Sequence, residues 1–328
     1  MTQQSALKRV PIIEAVDAAY EEFNNQQLKI FWLPDEISVD KDVQDVLVNF
    51  TPAEKHGVIT VLKLFSIYED YAGNEWWGGR YKEMNITNTA KLRMASTFSM
   101  FELAVHAPFY NKINELLHLN TPEFYNSYVD NPYLKARIDH IGEIIEDPDP
   151  LKALAVFSFV EGVILYSNFA FLKHFQSNGK NKLVNVVRGI NFSLRDESCH
   201  QQAAAYEFRQ RARSHVFEPG EWDSLKKEIY AAAAKIVEHE IEVIRMIFEK
   251  GTIEGITAKQ LINFVHSRVN ECLADLGLEK MYEVTYNPIA DWFYKAINDF
   301  KFVDFFAGVG NEYTRDWDST KFTWNNND

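Results

Sequence analysis

From position 52 to 81, apolar residues return at steps of three and four: Val58, Val61, Leu62, Phe65 and Tyr68. That spacing lines one face of an α-helix. Thr51 followed by Pro52 supplies a helix start, because threonine accepts from a free backbone N–H and proline fits the first turn. The same period predicts helices over about 89–117, 132–145, 151–175, 182–212, 219–250 and 257–276. EDPDP stops the helix over 132–145, Ser177-Asn178-Gly179 the one over 151–175, and Gly251 the one over 219–250. No six-residue stretch alternates strictly, and there is no internal repeat or low-complexity linker. One all-α domain over 1–306 is predicted. After Phe306 the chain turns polar with isolated aromatics, AGVGNEYTRDWDSTKFTWNNND, which predicts a flexible tail over 307–328.

Composition narrows the function. Apolar residues make up 46% of the 328-residue chain and charged residues 25%, a globular balance that excludes disordered and collagen-like classes. The 14 glycines and 10 prolines are few for a chain of tight turns and fit long helices. With 47 acidic against 34 basic residues the net charge is −13, with no basic cluster, so no nucleic-acid partner is expected. Cys199 and Cys272 are too few for a disulfide framework and point to a reducing cytoplasm. The amino-terminal MTQQSALKRVPIIEA lacks an apolar core of signal-peptide length. The most apolar stretch, 151–172, carries Lys152 at its start and Glu161 at its middle. It makes a poor membrane span, and no membrane is expected as a partner.

The chemistry lies in ionisable residues set inside apolar helices. Glu161 sits in LAVFSFVEGVILY, where an isolated carboxylate costs several kcal/mol unless it is neutralised or bound. Glu102 and His106 stand at i and i+4 in FSMFELAVHAPFY, and Glu197 and His200 at i and i+3 in LRDESCH. Glu69 lies late in the helix that starts at Thr51, with Asp70 and Glu75 as competitors for its position. Four helices thus each offer a carboxylate, and two add a histidine one turn on. A bundle that holds two metal ions uses such a set: glutamate from each of two helices, glutamate plus histidine from each of the others. Carboxylates neutralise the divalent charge and bridge the ions, and imidazoles complete each coordination sphere. EHEIE at 238–242 carries similar residues, but Ile236, Val237, Ile241 and Ile244 form the apolar stripe there, which predicts a solvated face for Glu238, His239 and Glu242. His140 and His174 read as structural or surface residues, and His56, His118, His215 and His266 have no matching carboxylate partners.

These residues, in this order, resemble the small, radical-generating subunit of class I ribonucleotide reductase, over nearly the whole chain. IFWLPDEISVDKD at 30–42 is similar to the family's amino-terminal segment and puts Trp32 at its tryptophan. AEKHGVITVLKLFSIYE at 53–69 resembles the helix of the first ligand, Glu69. Tyr110 follows His106 at the family's histidine-to-radical-tyrosine spacing. FVEGVILYSNFAF at 159–171 resembles the Glu161 helix, and RDESCH at 195–200 the family's Arg-Asp-Glu-x-x-His. DFFAGVGNEY at 304–313 resembles the start of its carboxy-terminal tail, with Tyr313 at the tail tyrosine. Two departures stand out. The family usually has Glu-x-x-His in the second helix, but Leu103 occupies the expected glutamate position and Glu102 comes one residue earlier. Either a one-residue π-bulge restores the shared face, or that ligand is lost. The first ligand is usually aspartate, and here it is Glu69 or the adjacent Asp70.

The resemblance implies a ferritin-like helical bundle with a di-metal carboxylate site. Its ligands would be Glu69, Glu102, His106, Glu161, Glu197 and His200, around two ions (iron, manganese or one of each) about 3.5–4 Å apart. It implies that an oxygen species activates the pair and that Tyr110, one turn after His106, holds the radical, with Leu165 and Phe169 as a dry wall. The oxidant would travel through His106, Asp196 and Trp32 to Tyr313, and on to a separate large subunit that reduces ribonucleotides. No Gly-rich phosphate loop occurs in this chain. The resemblance also implies a homodimer, and a tail, roughly 314–328, that docks on the large subunit through Trp317, Phe322 and Trp324. Two rivals share the site: a bundle oxidase or hydroxylase, and an iron-storage protein. Co-purification with a large nucleotide-binding subunit, lost on removing residues 308–328, separates them.

Overall fold

A computed structural model describes residues 17–294. Tyr313, the boundary at 306 and the tail aromatics lie outside the described residues. Helix α1 is Ala18–Lys29. Helix α2 runs as Pro52–Asp70, then a π-helical stretch Tyr71–Arg80, then Tyr81–Met84. Helix α3 is Thr89–Phe101, a π turn Glu102–His106, and Ala107–Leu116. Then follow α4, Pro122–Asp130, and α5, Pro132–Ile145. Helix α6 is Pro150–Phe159, a π turn Val160–Ile164, and Tyr166–Lys173. Helices α7, Val184–Ser214, α8, Glu221–Ile247, α9, Ala258–Leu276, and α10, Pro288–Phe293, complete the order. The one β feature among the described residues is an isolated bridge between Ile253 and Ile256.

Local chemistry sets the helix starts. Thr51 and Glu54 form a reciprocal cap: Glu54 N–H donates to Thr51 Oγ1 at 3.2 Å, and Thr51 N–H to Glu54 Oε2 at 2.8 Å. Thr257 and Gln260 repeat it, and Asn131 and Asp149 each cap a helix whose first residue is proline. Three helices carry too weak an apolar period to be read from sequence. Helix α1 buries Asn24 and Gln27 beside Tyr20 and Phe23, while α4 and α10 are only nine and six residues long.

Helices α2, α3, α6 and α7 surround the centre. Helix α1 lies over α3 and α7, and α8 and α9 pack across α6. Helix α6 continues through a short 3-10 turn to Gln176. It is the one helix among the described residues long and apolar enough to cross a membrane, and its most apolar 18-residue stretch is buried inside the bundle. Helices α3 and α7 approach closely at Gly189, where the Phe109 ring lies so near the backbone that any Cβ would collide with it.

Candidate metal centre

The six residues expected as ligands come together at the centre. Glu69 is on α2, Glu102 and His106 on α3, Glu161 on α6, and Glu197 and His200 on α7, and all six are buried. They form two groups whose ligand atoms all lie within 4.8 Å of one another. One is Glu69, Glu102, His106 and Glu197; the other is Glu102, Glu161, Glu197 and His200. Glu102 and Glu197 belong to both. The π turn Glu102–His106 is what sets Glu102 and His106 together: their Oε2 and Nδ1 atoms are 3.1 Å apart. Asp70 and Glu75, by contrast, are exposed, and Asp70 accepts from Asn74 Nδ2 at 2.5 Å.

His106 Nδ1 faces three carboxylates, Glu69 Oε2 at 3.2 Å, Glu102 Oε2 at 3.1 Å and Glu197 Oε1 at 3.2 Å. Its other nitrogen, Nε2, donates to Asp196 Oδ2 at 2.9 Å. Asp196 is fully buried and also accepts from Trp32 Nε1 and from Gln27 Nε2, each at 2.8 Å. Trp32 is buried too, its ring 6.0 Å from that of His106 and inclined 28° to it. On the far side, His200 Nδ1 is 2.6 Å from Glu102 Oε1 and 3.5 Å from Glu197 Oε2. Trp77 Nε1 donates to Glu161 Oε1 at 2.6 Å.

Four buried carboxylates against two imidazoles are badly matched in charge. Burial pushes Glu69 well above the usual carboxylate range, and the neighbouring Glu102 charge adds to it. Burial likewise raises Glu161, reinforced by Glu197 and Glu102. Burial is the largest influence on Glu102 and acts to raise it, but the charges on His106 and His200 and the hydrogen bonds to Glu69 and His106 together hold this carboxyl well below its ordinary value. For Glu197, burial and the Glu102 charge are overcome by hydrogen bonds from His106 and His200, and the net direction is downward. Burial draws both histidines down, yet the carboxylates around them together outweigh it: Glu102, Glu69 and Asp196 raise His106 well above its ordinary value, and Glu102 and Glu197 raise His200 to about 9. A metal ion needs the neutral imidazole, so binding must expel the His200 proton. Mn2+ affinity is therefore expected to rise with pH as His200 and the likewise raised His106 give up their protons, which titrations from about pH 6.5 to 9.5 would measure.

The centre also holds orphaned atoms. Glu69 Oε1 and His200 Nε2 lack a hydrogen-bond partner among the described residues, and Glu102 Oε1 and Glu197 Oε1 have only their imidazole contacts. Such atoms are costly when buried. Two divalent cations would satisfy them and cancel the four negative charges, and an all-oxygen-and-imidazole donor set suits iron or manganese. The donor set fits a di-metal site.

Tyr110 is fully buried beside this centre. Its ring stacks on Phe65 at 4.2 Å between centroids, and Phe65 on Phe169 at 5.4 Å. Its hydroxyl donates to Ser193 Oγ at 3.1 Å, and burial, with the Glu69 charge, pushes its phenol well above the ordinary range. Leu165 is buried at the break between the π turn and the rest of α6. Sequence reasoning missed Trp77, Gln27 and Ser193, which share no spacing with their partners. It also misread the run at 238–242: His239 is buried, and Glu240, in the same run, is fully buried against Arg137 Nη2 at 2.5 Å. The helix there is covered on a second side by α5, which the apolar stripe does not reveal. His56 and His215 do have carboxylate neighbours, Glu249 at 3.7 Å and Glu221 at 3.1 Å, both partly exposed.

Fold and centre together define a ferritin-like helical bundle built around a buried carboxylate and imidazole cluster for two metal ions. Residues 12–288 match the family model described as ribonucleotide reductase, small chain. The chain belongs to that family, the oxidoreductase subunits that generate the radical for ribonucleotide reduction. It is 26% identical over 302 residues to the ribonucleoside-diphosphate reductase subunit beta of Chlamydia pneumoniae, covering 86% of this chain and 83% of that one. The subunit beta of Bacillus phage SPbeta is 26% identical over 315 residues, covering 89% and 88%. Among solved structures, dimanganese(II)-NrdF of Streptococcus sanguinis superposes with a TM-score of 0.74 at 22% identity, over 86% of this chain and 97% of that one.

Proposed function

We propose that Glu69, Glu102, His106 and Glu197 hold one metal ion and Glu102, Glu161, Glu197 and His200 the other, and that this centre makes and exports a one-electron oxidant. Bound there and given an oxygen species, the metal pair supplies the oxidising equivalent. The observation that carries the reading is the unbroken line from the cluster through His106 and Asp196 to Trp32. Asp196 accepts from both His106 Nε2 and Trp32 Nε1, so it fixes which imidazole nitrogen faces the cluster. It can also take the indole proton when Trp32 loses an electron. Tyr110 is the proposed radical holder. Its hydroxyl proton rests on Ser193 Oγ, and the Phe65 and Phe169 rings keep water away.

The ions are iron, manganese or one of each. The substrate is reduced on a large subunit, reached through Tyr313 and a tail whose docking residues are 314–328. The active assembly contains a homodimer of this chain and works in the cytoplasm, where the free thiols Cys199 and Cys272 stay reduced. Metal analysis with electron paramagnetic resonance on the aerobically activated chain tests the centre: two ions per chain are expected, and one or none would refute it. Tyr110→Phe removes one hydroxyl, so it should leave folding and metal content unchanged, abolish the tyrosyl signal and reduce turnover. Full activity in that variant would place the stored oxidant on the metals.

A further inference from the structure

The π turn Val160–Ile164 that carries Glu161 is gripped by two buried cations from other helices. Arg268, on α9, donates from Nε to Gly162 O at 3.0 Å. Arg137, on α5, donates from Nη2 to Ile164 O at 2.7 Å. Both side chains are more than nine-tenths buried. A guanidinium is an expensive residue to bury, and packing alone is served as well by an apolar side chain of the same size. These two are held by partners of their own. Arg268 Nη1 meets Glu271 and the Tyr294 hydroxyl, the latter at 3.0 Å, and its guanidinium lies over the Tyr166 ring at 4.0 Å. Arg137 pairs with Glu240, which in turn accepts from Ser167 Oγ at 2.5 Å, and lies over the Tyr68 ring at 4.6 Å. The backbone between the two gripped carbonyls has no slack, because a Cβ on Gly162 would fall 2.7 Å from Gln201 Cγ and against Cys272 Sγ.

We propose that Arg268 and Arg137 are positioning residues for Glu161. A π turn is a strained local alternative to the α-helix, and it survives where surrounding contacts over-determine it. Relaxation of 160–164 to α-helix would rotate the residues before it relative to those after it. The Glu161 carboxylate would then leave both Trp77 Nε1 and the group it shares with Glu102, Glu197 and His200. By fixing two carbonyls of the turn, the arginines hold the carboxylate on target. This inference rests on the reading of Glu161 as a metal ligand.

The test is Mn2+ titration of the full-length chain carrying Arg268→Lys or Arg137→Lys, beside Glu161→Gln, with low-temperature electron paramagnetic resonance of the bound ions. At position 268 lysine keeps the charge and the ion pair with Glu271, so a purely structural role is satisfied, but it lacks the Nε donor that reaches Gly162 O. At position 137 one nitrogen, Nη2, serves both Glu240 and Ile164 O, so Arg137→Lys is the milder variant. The expected result is a loss of about tenfold or more in affinity for one of the two ions. The spectrum should change from that of a coupled pair to that of an isolated ion, while metal-free thermal unfolding is unchanged. Arg268→Lys decides the matter, with Arg268→Gln in its place if it does not fold, and two ions bound with unaltered affinity overturn the proposal. If Glu161→Gln loses an ion while the lysine variants keep both, the positioning role alone fails. If Glu161→Gln also keeps both, Glu161 is not a ligand and the underlying reading fails with it.

Discussion

Glu102→Gln is expected to strip both metal ions from the centre rather than one. Glu102 stands in both ligand groups, with Oε2 beside His106 and Oε1 beside His200. Glutamine keeps the volume and so leaves no cavity, but a neutral amide cannot bridge two cations. It also removes the charge that raises His106 and His200, which would then sit closer to their ordinary values. Loss of an outer partner of a metal ligand costs about 10–100-fold in affinity, and loss of a shared ligand should exceed that for both ions. The metal-free variant should be less stable than the unmodified chain at neutral pH, because the buried charge that His106 and His200 favour in the fold is gone. Thermal unfolding with and without Mn2+ measures both effects: the metal-dependent rise should vanish and the metal-free midpoint should fall. Two ions per variant chain would mean that the bridging role lies with Glu197 alone.

Trp32→Phe should separate making the oxidant from exporting it. The phenyl ring keeps the contacts of Trp32 with Phe109 and Phe192, whose centroids lie 5.4 and 5.5 Å away. Asp196 keeps two of its three donors, Gln27 Nε2 and His106 Nε2. Folding, metal content and the tyrosyl signal should therefore survive. Phenylalanine has no oxidised state at a comparable potential and no proton to give Asp196. Nucleotide reduction with the large subunit should fall by more than about 100-fold, a barrier rise of about 2.7 kcal/mol. Normal turnover would show that the oxidant leaves by another route.

Much of this molecule was legible because its chemistry breaks its own pattern. Seven of the ten helices announce themselves by apolar period and by caps such as Thr51 with Pro52. Charged residues inside those apolar faces then mark the centre. Even the odd spacing of Glu102 and His106 left a mark: it departs by one residue from the family's Glu-x-x-His, and of the two readings it allowed, the π turn is present. The other three π stretches among the described residues, Asp45–Asn49, Tyr71–Arg80 and Val160–Ile164, left no comparable mark, because none contains a pair of residues whose spacing looks wrong. Trp77, Gln27 and the two arginines could not be read for a different reason. Each acts on a residue more than 80 positions away in the chain, through a contact that only the closed bundle creates, or, for Arg137, on a backbone carbonyl that carries no sequence signal.

Helix α6 also shapes how the chain must be born. Most of its 27 residues, 150–176, are buried only when the later helices α7, α8 and α9 close over them. Synthesis runs from the amino terminus, so this segment leaves the ribosome before residues 184–276 exist to cover it. During that interval it is the stretch most prone to aggregate or to be misdirected to a bilayer. Lys152 and Glu161 interrupt it, and Glu161 in particular keeps a charge in the middle of what would otherwise read as an insertion signal. The same carboxylate that the finished bundle must neutralise thus protects the unfinished one, which gives selection two separate reasons to keep an acid there.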